Sequence, residues 1–105
     1  MSEEAREFRA RYERHVQFVL DGDLTSALAD MVQENMPKMF EGVAVPGGNV
    51  VSLRVLDVRK EGEAWVGDTV YVTEDGPIGL RSFWESRDGV WLAAALENFP
   101  VPQDA

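Results

Sequence analysis

Apolar positions recur every three to four residues in the first part of the chain and every second residue in the later part. Ala5, Phe8, Tyr12, Val16 and Val19 mark one face of a first helix. Ser2 is placed to cap it, with Glu3 and Glu4 in the first turn, and Asp21-Gly22 ends it. Asp23 caps a second helix with Leu24, Leu28, Met31 and Val32 on its apolar side. Asn35 opens a short third helix, with Pro37 in its first turn, Met36, Met39 and Phe40 facing inward, and Gly42 as the stop. Val43 to Asn49, carrying Pro46-Gly47-Gly48, is a hinge. Beyond it the runs Val50–Lys60, Glu63–Thr73, Ile78–Arg87 and Val90–Phe99 are separated by Glu61-Gly62, Asp75-Gly76 and Asp88-Gly89. Acidic-Gly dipeptides between β-rich runs are hairpin signals, because tight hairpin turns need positive φ. The pattern predicts one α+β domain: two to three N-terminal helices over residues 1–43, packed on a four-stranded antiparallel meander over 49–99, with a frayed tail at 100–105.

The turns imply a register, and side chains alternate across each strand. One face carries Val51, Leu53, Val55 and Asp57, then Val66, Asp68, Val70 and Val72, then Arg81, Phe83 and Glu85, and last Leu92, Ala94, Leu96 and Asn98. The other carries Trp65, Gly67, Thr69 and Tyr71, then Ile78, Leu80, Ser82 and Trp84, then Trp91, Ala93, Ala95, Glu97 and Phe99, with Arg54, Leu56 and Val58 on the first strand. We call them the aliphatic and the aromatic face. Both are largely apolar, whereas a sheet with one solvated face alternates apolar with polar. The helices therefore cover one face and something else covers the other. A bulge in the first strand would move its end positions, Asp57 above all.

At 105 residues, 45% hydrophobic and 28% charged, the chain has ordinary globular composition. Its net charge of −9 disfavours nucleic acid and anionic membrane surfaces as partners. The clustered Arg6, Arg9, Arg11 and Arg14 are matched by Glu7 and Glu13 at helical spacing, which reads as a solvated, ion-paired face. No apolar run approaches a membrane span and no leader-like segment opens the chain; with no cysteine, the expected location is the cytoplasm. Paired His/Cys metal spacing, phosphate-binding Gly-rich loops and nucleophile elbows do not occur, so neither a metal nor a cofactor is expected.

Phe8-x3-Tyr12 running into Asp21-Gly22-Asp23-Leu24, then Gly62-Glu63-Ala64-Trp65-Val66, then Phe83 to Trp91, resemble in order and spacing the cone-shaped α+β proteins of the nuclear-transport-factor-2-like superfamily. That group includes SnoaL-like cyclases and ketosteroid isomerases. The resemblance implies a bent sheet whose concave side is closed over by helices, leaving a ligand cavity. Counted back from the hairpin glycine, Arg81 stands near the isomerases' oxyanion-hole aspartate, and Asp68 and Asn98 near apolar wall positions. By that comparison the aliphatic face is concave. It then supplies Asp68, Arg81 and Glu85 as catalytic candidates, and Val66, Phe83, Leu96 and Asn98 as ligand contacts beside Tyr12, Met39 and Phe40. The isomerase base has no counterpart and Arg14 stands at the offset of the isomerase tyrosine, so steroid isomerisation is not implied.

An arginine between two carboxylates can separate their pKa values and so supply an acid and a base; the same trio can equally be a structural ion pair at a cavity wall. His15, the single histidine, is expected partly exposed on the first helix, with a general base of the kind the resemblance implies as the alternative, and Glu97 is expected to answer Arg54. Metal binding by Asp57, Asp68 and His15 is the minor alternative. With helices on the aliphatic face, Trp65, Tyr71, Trp84 and Trp91 would stand bare, which predicts a homodimer joined through them. Three functions remain open: a binder of a small, mostly apolar organic molecule; an isomerase, cyclase, dehydratase or epoxide hydrolase using Asp68 and Arg81; and a non-catalytic dimeric assembly module with a collapsed cavity.

Overall fold

A computed structural model describes residues 2–102. Helix α1, Glu3–Leu20, begins where Ser2 accepts a hydrogen bond from the Ala5 amide at 3.0 Å, and buries Phe8, Tyr12, His15, Val16 and Val19 on one stripe. Gly22, at φ 76°, turns the chain into α2, Leu24–Ala29, whose cap Asp23 accepts from the Ser26 amide. The second helix stops sooner than its apolar pattern suggests. Met31 and Val32 leave the helix and run beside the sheet edge, with Val32 N–H donating to the Ala93 carbonyl and Ala93 N–H to that of Asp30. The described residues 33–42 form no third α-helix. Two single 3-10 turns, Gln33–Asn35 and Lys38–Phe40, replace it, because Met36 ahead of Pro37 is extended, as a residue before proline prefers.

The sheet is the expected meander, β1 Val50–Glu61, β2 Ala64–Thr73, β3 Gly76–Arg87 and β4 Val90–Asn98, paired in chain order. The Asp88-Gly89 turn is where the dipeptide puts it, with φ of 53° and 81°. The other two turns each slide by one residue. Gly62-Glu63 closes the first hairpin and Glu74-Asp75 the second, where the Thr73 hydroxyl accepts from the Asp75 amide and donates to the Gly76 carbonyl. Each slide moves the cross-strand partner by two residues, so faces are conserved while pairs change, and Asp68 faces Arg81 directly.

Bulges do change faces. One between Val55 and Asp57 transfers Leu53 and Val55 to the aromatic side, and one opposite Phe83 and Trp84 sends Ala95 and Glu97 outward and Leu96 and Asn98 inward.

The helices lie on the aromatic face, the opposite of the expectation. Phe8 stacks on Trp65 at 5.2 Å between ring centres and meets Trp84 and Trp91 edge-on, and Tyr12 meets Trp84 edge-on. Trp84 is fully buried, and Trp65 and Tyr71 nearly so. Trp65, Tyr71, Trp84 and Trp91, the rings expected to join a homodimer, lie instead on the face that α1 covers. Glu4 pins the start of the helix there, accepting from Trp65 Nε1 and from Lys60 Nζ. Of the tail expected to fray at 100–105, the part from residue 103 lies outside the described residues.

Candidate functional site

Between α1, α2, the segment 40–47 and the aromatic face lies a cavity of about 390 Å3. Val19, Leu24, Ala27, Leu28, Met31, Phe40, Val45, Pro46, Leu80 and Leu96 make its wall apolar. Leu24, Leu28 and Val45 line it and are also exposed, so its mouth opens between α2 and the 43–47 strap. Asn98 bolts that strap down: its side chain accepts from Ala44 N–H at 2.8 Å and donates to the Ala44 and Gly79 carbonyls.

Four polar side chains reach the cavity: Tyr12, His15, Tyr71 and Ser82. Tyr12 enters over Gly67, where the absent side chain leaves room for its ring, and its hydroxyl shares a 2.5 Å hydrogen bond with Thr69. Burial pushes the Tyr12 hydroxyl up to about 12, against the hydrogen bonds from Thr69 and Ser82 that favour its ionised form. Burial likewise raises Tyr71 well above the ordinary phenol value, so both stay protonated. Ser82 Oγ accepts from Trp84 Nε1 at 2.8 Å.

His15 is buried, not partly exposed. Its Nδ1 lies 3.0 Å from Asp30 Oδ2, and its ring meets Trp84 edge-on at 5.0 Å. Asp30, also buried, is held on its other oxygen by Arg11 Nη2 at 2.9 Å, and Arg11 Nε donates to the Trp91 carbonyl. Asp30 was missed in the sequence, and Arg11, expected on a solvated helix face with Glu7, pairs with Asp30; a signal for the His15–Asp30 pair existed. His15 falls within the helical stripe of Tyr12, Val16 and Val19, and Asp30 interrupts the apolar run Ala27 to Val32. A lone acid and a lone base at buried positions are natural partners.

Of the residues expected to line the cavity, Tyr12, Phe40 and Leu96 do so. Met39 borders a separate groove with Asn35, Ala94 and Ala95. Asn98 holds the strap, while Val66 and Phe83 lie on the far face of the sheet, paired with each other. The catalytic trio is on that far face too. Arg81 grips Asp68 through Nε at 2.8 Å and Nη2 at 3.2 Å, Arg59 binds the same carboxylate, and Glu97 takes the remaining arm of Arg81. Glu97 thus pairs with Arg81. Burial pushes the Asp68 carboxyl up, but the hydrogen bonds from Arg81 and Arg59 outweigh it and hold it below the usual carboxylate value. Glu85 pairs with Arg87 and not with Arg81. The Asp57, Asp68 and His15 set is divided by the sheet, and no group of three metal-ligating side chains occurs among the described residues. No described helix is long and apolar enough to cross a membrane.

No sequence-family model and no curated protein sequence matches the chain. Among solved structures, it is similar to an NTF-2-like protein of unknown function from Burkholderia xenovorans LB400. The two share 16% identity and superpose with a TM-score of 0.60, over 93% of this chain and 89% of that one. That likeness, with helices closing one side of a bulged antiparallel meander, assigns the chain the nuclear-transport-factor-2-like fold.

Proposed function

We propose that the chain is a small-molecule-binding domain whose cavity takes a small, mostly apolar organic molecule. The observation that carries this is the cavity itself. At about 390 Å3 it falls in the size range of ligand pockets, with an apolar wall and a few convergent polar groups. A collapsed assembly module would have filled that space with side chains. The test is native mass spectrometry of freshly purified protein, together with methyl NMR during titration with naphthalene. Shifts at Val19, Leu80 and Leu96 are expected. No co-purified mass and no methyl response would refute the reading.

A second reading, proton-transfer catalysis in the same cavity, is favoured by the buried His15–Asp30 pair. A histidine oriented by a carboxylate and facing an apolar cavity is a general base, and the neutral Tyr71 hydroxyl is a donor to a developing oxyanion. Isomerase, cyclase, dehydratase or epoxide-opening chemistry would run through these groups and not through Asp68 and Arg81, which the sheet separates from the cavity.

A further inference from the structure

The hydrogen bonds around Asp30 decide which nitrogen of His15 carries its proton. Each oxygen of Asp30 has one partner, Arg11 on Oδ1 and His15 Nδ1 on Oδ2. A carboxylate paired with a guanidinium only accepts, so Nδ1 must be the donor. Arg11 and Asp30 already cancel each other's charge, and a ring that joins them as a neutral imidazole carries its proton on Nδ1. Its Nε2 is then a bare lone pair. Among the described residues no buried side-chain nitrogen or oxygen lacks a partner. The ring's hydrogen bond to Asp30 is made by Nδ1, and His15 is among the residues that line the cavity.

The other groups facing the cavity bring no positive charge. The Tyr12 hydroxyl is engaged with Thr69, Ser82 accepts from Trp84, and Tyr71 is a neutral phenol. An anion entering here would set its charge against the Nε2 lone pair in an apolar enclosure, with the Tyr71 hydroxyl as a donor but no positive charge to balance it. A neutral molecule with a donor would satisfy that lone pair. We infer that the cavity selects neutral, largely apolar molecules bringing one O–H or N–H donor to His15 Nε2, and that Arg11 is a positioning residue holding this tautomer through Asp30. The inference rests on the cavity being a ligand site.

Because the chain has one histidine, 15N-histidine labelling reports a single ring. At neutral pH, Nδ1 is expected protonated and Nε2 bare. Indole and 1-methylindole differ in the N–H alone, and 2-naphthoate adds a charge to a similar body. Indole should bind roughly tenfold more tightly than 1-methylindole, the ratio one net hydrogen bond supports, and should move the Nε2 resonance; 2-naphthoate should bind weakest. Arg11→Gln should erase the preference for indole while leaving 1-methylindole binding in place, and Arg11→Lys should restore part of it. A general loss of packing would weaken both probes alike. A protonated Nε2, equal affinities for indole and 1-methylindole, or an undiminished preference in both Arg11 variants would overturn the inference while leaving the cavity a binding site. Failure of all three probes, with cavity methyl resonances unmoved, would overturn the binding reading and this one with it.

Discussion

Gly67→Ala reports which face of the sheet the helices cover. A Cβ at Gly67 would lie 2.3, 2.4 and 2.7 Å from the Cζ, Cε1 and hydroxyl atoms of Tyr12. Carbon atoms in ordinary contact are about 3.5–4 Å apart, so the ring must retreat by roughly 1 Å. It has little room to do so: Tyr12 is 1% exposed, faces Phe8 and Trp84, and is tied to Thr69. Overpacking of this kind costs about 1–3 kcal/mol, and losing the Thr69 hydrogen bond adds about 1 kcal/mol. Were α1 on the other face, replacing a mid-strand glycine by alanine would stabilise by about 0.5–1 kcal/mol, so the two packings differ in sign. Urea unfolding followed by tryptophan fluorescence should show the midpoint falling by about 1–2 M for a chain of this size. Adding Tyr12→Leu should recover part of the loss, because the clash disappears with the ring. A midpoint unchanged or raised in Gly67→Ala would refute the packing of α1 on the aromatic face.

Asp68→Asn and Arg81→Gln, combined, should destabilise by less than the sum of the single changes, because either alone strands its partner; additive shifts in urea midpoints would show no coupling. The Asp68 pKa is lowered on folding, so its stabilising contribution is complete above the free carboxyl value of 3.8 and is lost as pH falls below it. Wild-type midpoints should drop there more steeply than those of Asp68→Asn. At the alkaline end the sign reverses. The folded Tyr12 value, about 12, exceeds 10.0, so the unfolded chain releases its proton first, and stability is intact below that value and falls as pH rises towards the folded one. The decline is about 1.4 kcal/mol per pH step, on the order of 3 kcal/mol in all, and Tyr12→Phe should flatten it.

Element types were legible in the sequence because they follow from local period and turn chemistry. The stripe from Phe8 to Val19, the Ser2 and Asp23 caps and the acidic-Gly turns all act over a few residues. Face membership survived turns misplaced by one residue, since the strand period of two absorbs a slide that moves partners by two. The places of the bulges in β1 and β4 were illegible, and they reassigned Leu53, Leu96, Glu97 and Asn98. The cavity was half legible. Tyr12, Phe40 and Leu96 came through, while the His15–Asp30 contact joins a helix to the segment after another helix, so each run shows its lone polar residue but not which residue it meets.

The choice of face turned on two features that residue types alone misrepresent. Gly67 and Ala93 leave hollows among the rings of the aromatic face, which suit a partner's rings as readily as the chain's own. Tyr12 fills the hollow at Gly67, and Ala93 is fully buried beside the edge segment Asp30 to Val32. By composition the aliphatic face calls for a second layer, for Val66 and Val70 are buried on it. In register, however, Val66 stands between Arg59 and Phe83, and Val70 beside Arg54. Arginine stems cover apolar surface while their guanidinium groups stay at the boundary with water. Here Asp57, Glu61, Asp68 and Glu97 hold the heads of Arg59 and Arg81 in place over the sheet. The charges taken for a catalytic trio finish the outer surface, and that leaves the helices free to enclose the aromatic side, where the cavity forms.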